Sequence, residues 1–303
     1  MNGQLSMRDK VCMVTGANGG MGRAIASELA RQGATVLVVC RSSGQGETLK
    51  RCIIEATGNQ SVEVLVADLS DQTAIRHLAA DFLSRYSKLH VLVNNAGAHL
   101  RECRLSVDGI ELHLAINHLA WFLLTNLLLD TLKASAPSRV VNVASDSMAD
   151  SREIKIGPAP AVTFDLDDLQ SERHFNSMQV YGRSKLAMVM CGYALARHLE
   201  GTGVTVNALH PGLVASDIVD DIAPPWAKPF IGIVKRFLLT PDKGAQTTIY
   251  LASSPEVRNV TGKYFIKQKI HRSPPVSYDE HLQEQLWNAS SRLVGLEPHR
   301  HVV

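Results

Sequence analysis

Residues 11–30 read Val11-Cys12-Met13-Val14-Thr15-Gly16-Ala17-Asn18-Gly19-Gly20-Met21-Gly22-Arg23-Ala24-Ile25-Ala26-Ser27-Glu28-Leu29-Ala30. The apolar run Val11–Val14 predicts a short buried strand. The apolar positions that follow Gly22 recur at helical spacing, so the stretch is a strand, a glycine-rich turn and a helix. Glycines let such a turn bend tightly and let a pyrophosphate approach the backbone. The helix N-terminus beyond it offers free N–H groups and a partial positive charge. Gly16, Asn18, Gly19, Gly20, Met21 and Gly22 are therefore expected to hold the phosphates of a dinucleotide.

Working outward, Thr35–Cys40 predicts a second strand. An acid at its end would bind adenosine ribose hydroxyls, as in NAD sites. Here Arg41 and Ser42 stand instead, and a cation with hydroxyls suits a 2′-phosphate, which favours NADP(H). Asp68, followed by Leu69 after a third strand, is placed to accept from the adenine amino group. Val91–Val93 predicts a fourth strand, and Asn94, Asn95, Ala96 and Gly97 at its end are expected to line the adenosine side of the cleft. Strand and helix patterns alternate to about residue 210 without a linker, repeat or composition shift. The reading is α/β, a Rossmann-type doubly wound parallel sheet, with residues 1–303 one domain and 297–303 a frayed tail.

Further along, Arg139–Ser145 reads as a fifth strand ending in a serine. Ligands in such sheets bind beyond the carboxyl ends of the strands, so Ser145 is placed to hydrogen-bond a substrate oxygen. In Tyr181-Gly182-Arg183-Ser184-Lys185 the tyrosine and lysine share a helix face one turn apart. An ammonium near a phenol favours the phenolate and lowers its pKa, and a tyrosine so tuned exchanges protons near neutral pH. After a sixth strand, Val204–Leu209, Pro211 and Gly212 fix a turn. Asn117 lies on an apolar stretch read as one helix, Leu112–Leu132.

Taken together, these motifs resemble the short-chain dehydrogenase/reductases, and in detail their retinol dehydrogenase-like branch. The segments that carry the resemblance are Thr15–Gly22, Cys40–Ser42, Asp68-Leu69, Asn94–Gly97, Ile116–Leu119, Val141–Ser145, Tyr181–Leu186 and His210–Val214. The resemblance implies an NADP(H)-dependent oxidoreductase in which Tyr181 exchanges the proton and Lys185 tunes it and binds the nicotinamide ribose. It also implies that Ser145 polarises the carbonyl and that Asn117 completes the relay through a water. Val214 and Ser216 resemble the family's contacts to the nicotinamide carboxamide. A homodimer through the helices around Leu112–Leu132 and Tyr181–Leu199 is implied as well. A nucleotide-binding scaffold without turnover is the rival class; such proteins typically lose the serine, tyrosine or lysine, and this chain retains all three.

Composition bounds the rest. With 45% hydrophobic residues in 303, a large core is expected, and a net charge of +2 without a basic run argues against nucleic acid. The five cysteines are scattered without zinc spacing, so no metal is expected. There is no apolar leader and no stretch of eighteen apolar residues, so the expectation is no transmembrane helix and an intracellular chain, cytoplasmic or peripheral to an organelle membrane. The segment Ser151–Met178 is an insertion expected to form a loop beside the pocket, with Asp165–Asp168 a solvated helix start. Residues 218–239, rich in proline and then apolar with Lys235-Arg236, are the expected substrate lid and peripheral membrane contact. The apolar surroundings suit a small lipophilic carbonyl or alcohol such as a retinoid, steroid or aliphatic aldehyde.

Overall fold

Apolar runs of four to seven residues, separated by helices, suit central strands that bury both faces in a parallel sheet. The computed structural model describes residues 7–149, 164–215, 236 and 238–297. Its strands are β1 (Val11–Thr15), β2 (Thr35–Cys40), β3 (Val62–Val66), β4 (Val91–Asn94), β5 (Ser138–Val143), β6 (Val204–His210), β7 (Lys263–Ile266) and β8 (Lys269–His271). They form one eight-stranded sheet in the order β3-β2-β1-β4-β5-β6-β7-β8. All neighbours are parallel except the β7–β8 pair. The succession reverses at β1, which places a crevice beyond the carboxyl ends of β1 and β4.

Helices cover both faces. Alternate strand residues face opposite layers, Cys12, Val14, Val36 and Val38 into one core and Met13, Leu37, Val39 and Leu65 into the other. The first layer holds α1 (Gly20–Arg31), α2 (Ser43–Thr57) and α7 (Pro241–Ser253). The second holds α3 (Gln72–Arg85), α4 (Ala120–Leu127), α5 (Leu129–Ala134), α6 (Ser177–His198) and α8 (Glu280–Leu293). The doubly wound single domain expected from the sequence is the one found. Elements β7, β8, α7 and α8 extend it past the alternation read to residue 210.

One expectation changes. The stretch Leu112–Leu132 is not one helix. Leu114–Leu119 forms a wide π turn, α4 follows, and α5 begins at Leu129. The helix faces expected to meet in a dimer are covered within the chain by α8. Trp287 packs edge-on against Phe122, ring centroids 4.6 Å apart, and Ser290 Oγ lies 2.8 Å from His118 Nε2. Arg197 of α6 bonds Gln283 and Glu284 of α8. Nearly every side chain of α6 is buried within the chain.

Candidate functional site

The turn after β1 is shaped by contacts that only glycine permits at two positions. Gly16 has φ +62, and a Cβ there would stand 2.7 Å from the Ala96 Cα. A Cβ on Gly22 would stand 2.3 Å from the Gly16 carbonyl oxygen, so α1 packs directly on the turn. Helix α1 starts at Gly20, with Gly19 as its N-cap and no side-chain cap. The first-turn N–H groups of Gly20, Met21 and Gly22 are thus not taken up by a capping side chain, and the dipole end faces the crevice. Asn18 is held at the rim by Gln45, to which it donates at 2.9 Å, and by the Cys40 thiol, which donates to it at 3.0 Å.

The end of β4 is stitched to this turn. Thr15 Oγ1 accepts from Asn95 N (3.0 Å) and Ala96 N (3.1 Å), and Asn95 Nδ2 donates to the carbonyls of Thr15 and Gly16. The Asn95 Oδ1 is buried without a partner among the described residues. Arg41 and Ser42 are exposed at the carboxyl end of β2, and the Ser42 side chain makes no capping bond to α2. Asp68 is exposed and accepts from Ser70 N and Oγ, while Leu69 beside it is half-buried. An uncapped helix start, an orphaned amide oxygen and an exposed cation at the strand edge fit a dinucleotide bearing a 2′-phosphate.

Tyr181 and Lys185 stand on α6, facing the carboxyl ends of β4 and β5. The Lys185 ammonium lies 6.0 Å from the Tyr181 ring centroid and donates to the Val143 carbonyl at 3.0 Å. Ser145, two residues past β5, stands close enough to the Tyr181 phenol to bear on its ionisation. The Ser145 Oγ accepts from Ser147 N at 3.2 Å, capping a short 3-10 turn. Asp146 N donates to His210 Nδ1 (3.2 Å), which ties this turn to the end of β6. The π turn directs Asn117 back onto the loop after β4. Asn117 Oδ1 accepts from Ala98 N (2.8 Å), and its Nδ2 donates to Ala98 O (2.9 Å) and to Ser184 Oγ (3.0 Å). Gly97 lies between, where a Cβ would be 3.0 Å from Lys185 Nζ. Ser145, Tyr181, Lys185 and Asn117 are thereby brought together.

The electrostatics depart from the sequence expectation that the lysine lowers the tyrosine pKa. Burial pushes the Tyr181 phenol up to about 12, offset in part by the Ser145 hydroxyl and reinforced by the Asp146 charge. Burial also brings Lys185 down from 10.5 to about 8. Burial, which disfavours the charged phenolate, outweighs the other influences on the phenol.

Sequence reasoning missed three neighbours of Tyr181. Glu111 and His113 are fully buried and 2.7 Å apart, and His113 Nε2 accepts from Leu100 N at 2.9 Å. His113 Nδ1 therefore carries the proton and donates to Glu111. The His99 ring meets the Tyr181 ring edge-on, centroids 5.6 Å apart. The available signal was the occurrence of three histidines, at 99, 113 and 118, within one short span of sequence. Beyond β6, Pro211 and Gly212 turn the chain, and Val214 pairs with Leu239 in a parallel bridge. Ser216, most of the expected lid (218–235 and 237), residues 151–163 of the insertion and residues 298–303 of the tail lie outside the described residues. Asp165 caps a 3-10 turn and pairs with Arg173 at 3.4 Å, as expected of a solvated start. No described helix is long and apolar enough to cross a membrane, and no group of three metal-binding side chains occurs among the described residues.

Comparison with known proteins bears on this geometry. Residues 10–154 match the family described as short chain dehydrogenase, and residues 161–267 match the one described as Enoyl-(Acyl carrier protein) reductase. Human retinol dehydrogenase 14 is 41% identical over 96% of this chain and 88% of its own length. Human retinol dehydrogenase 12 is 40% identical over 95% and 87%. Among solved structures, an uncharacterized protein from Mycobacterium Paratuberculosis superposes with TM-score 0.75 at 28% identity, covering 97% of each chain. The Pseudomonas aeruginosa RhlG/NADP active-site complex gives TM-score 0.68 at 25% identity, over 88% of this chain and 97% of that one. With its fold, strand order and full-length relatives in agreement, the chain belongs to the short-chain dehydrogenase/reductase family, as an oxidoreductase related to the retinol dehydrogenases.

Proposed function

We propose that the protein interconverts a lipophilic carbonyl compound and its alcohol with NADP(H), in an apolar pocket suited to a retinoid, steroid or aliphatic aldehyde. The observation that carries this reading is the convergence of the Tyr181 phenol, the Ser145 hydroxyl and the Lys185 ammonium at the carboxyl ends of β4 and β5. The nicotinamide, when bound, supplies or takes up hydride. Tyr181 gives its proton to the substrate oxygen during reduction and removes it during oxidation. A phenol held protonated by burial is a donor at neutral pH, which suits the reductive direction. Ser145 donates to the same oxygen and holds negative charge as it develops. Lys185 binds the nicotinamide ribose hydroxyls and, with Asn117, passes the replacement proton to Tyr181. Retinol dehydrogenases 12 and 14 and the NADP-bound relative support the substrate class and the cofactor by likeness.

On the nucleotide side, Gly16, Asn18, Gly19, Gly20, Met21 and Gly22 hold the pyrophosphate and Arg41 with Ser42 the 2′-phosphate. Asp68, Leu69, Asn95, Ala96 and Gly97 line the adenosine. Pro211, Gly212, Val214 and Ser216 meet the carboxamide. Purified protein with NADPH or NADH and a panel of retinal, steroid ketones and aliphatic aldehydes tests the reading. Turnover of at least one aldehyde or ketone, faster with NADPH, is expected. No turnover on any member, with NADPH bound, would overturn it in favour of a binding protein.

A further inference from the structure

The loop after β4 carries a histidine that the proposed chemistry does not use. Its neighbours are pinned on both sides. Asn117 takes both the N–H and the carbonyl of Ala98, and His113 takes the N–H of Leu100. His113 is in turn fixed by Glu111, which also accepts from Leu114 N and is met by the Gln170 side chain at its own N–H. Between these two clamps the His99 imidazole is held edge-on to Tyr181 and to His113, with ring centroids 5.6 Å away in each case. His99 is 4% exposed, yet neither ring nitrogen has a partner among the described residues.

A buried imidazole with both nitrogens unpaired is unfavourable, and a phenylalanine or methionine would fill the same space without that penalty. The arrangement makes sense when something else supplies the partner. His113 cannot serve, since Nε2 accepts from Leu100 N and Nδ1 donates to Glu111. Burial, with His113 and Arg101 nearby, brings the His99 pKa down to about 4, so the ring is neutral at physiological pH. A neutral imidazole offers one N–H donor and one lone pair. That pair of valences matches a hydroxyl or a carbonyl better than a carboxylate.

We propose that His99 is a specificity-determining residue whose imidazole hydrogen-bonds a second neutral oxygen, hydroxyl or carbonyl, borne by the substrate close to the reacting carbon. This rests on the oxidoreductase reading of Tyr181, because the short separation from that ring is what sets the second oxygen beside the first. Among the lipophilic carbonyls proposed above, vicinal dicarbonyl and α-hydroxy carbonyl compounds on an apolar body are then preferred over retinal and simple aldehydes. A site built to bond a substrate oxygen discriminates strongly against the analogue lacking it, since its own polar atoms are left unpaired.

The test compares 1-phenylpropane-1,2-dione with propiophenone as substrates for wild type, His99→Phe and His99→Gln with NADPH. The dione-to-ketone ratio of kcat/KM should fall about 10-fold in His99→Phe, equivalent to about 1.4 kcal/mol, and His99→Gln should keep most of it. In parallel, calorimetry on NADPH-loaded enzyme reads the affinity ratio of 1-phenylpropane-1,2-diol to 1-phenylpropan-1-ol, which should drop by a similar factor in His99→Phe. His99→Met replaces His99→Phe if the latter fails to bind NADPH. Unchanged ratios in the apolar variant in both assays would overturn the proposal. A wild type that reduces neither ketone would count against the oxidoreductase reading, and the calorimetric ratio would still decide the role of His99.

Discussion

Replacing Lys185 with methionine should abolish the proposed proton relay and yet make the protein more stable at neutral pH. The ammonium is 3% exposed, and burial lowers its pKa from 10.5 to about 8. Holding the charged form in the fold at pH 7 therefore costs about 3 kcal/mol. The bond to the Val143 carbonyl returns about 1 kcal/mol, so Lys185→Met should gain about 2 kcal/mol. The pH dependence is sharper. Unfolded lysine stays protonated up to 10.5 and the folded one only to about 8, so unfolding takes up a proton between those values. Wild-type stability therefore rises with pH across that window, while the methionine variant does not follow it. The gap between the two should narrow by about 2 kcal/mol from pH 7 to pH 9.5. Urea titrations at the two pH values, with turnover and NADPH binding measured alongside, give all the quantities. A variant less stable than wild type at pH 7, or a gap that does not change with pH, would refute the reasoning.

Further outcomes are expected. Tyr181→Phe should lower turnover at least about 10²-fold while leaving NADPH binding nearly intact, as read by steady-state rates and cofactor titration; Ser145→Ala should lower turnover with little effect on the cofactor. Arg41→Ala should weaken NADPH by about 1.5–3 kcal/mol and NADH far less, measured by fluorescence titration, with equal losses sinking the assignment. Trp287→Ala should cost about 3–5 kcal/mol of stability by uncovering Phe122 and α6, as read by urea titration.

Much of this was legible in residue order. The run from Val11 through the glycines into α1 carries its own strand, turn and helix signals. The strand ends at Asn94, Val143 and His210 lie within two residues of the ends read from the sequence at Val93, Ser145 and Leu209. Tyr181 and Lys185 lie one turn apart in sequence, so their shared face needs no tertiary information. The rest depends on contacts across the chain. Leu112–Leu132 is apolar on every face and reads as one helix; the π turn exists because Asn117 reaches Ala98, and no local pattern encodes that reach. Strands of three or four residues such as β7 and β8 carry too few positions for a period to register. The rise in the Tyr181 pKa is a burial effect, invisible until the surrounding layers are in place. The isolation of the His99 nitrogens likewise shows only when every potential partner has been located.

Helix α8 closes the molecule over a long span of chain. It supplies Trp287 to the core, and its end is fastened to α3, where Gln72 donates to the Leu293 carbonyl at 3.0 Å and Arg76 to the Val294 carbonyl at 2.6 Å. During synthesis, α3, α4 and α6 leave the ribosome well before α8, so the apolar surface that α8 covers waits open until α8 follows. Exposed surface of that kind is what makes nascent chains prone to aggregate and what chaperones shield. A premature stop or frameshift just ahead of α8, though it spares every residue of the proposed active site, should deprive the cell of folded protein as thoroughly as one near the start.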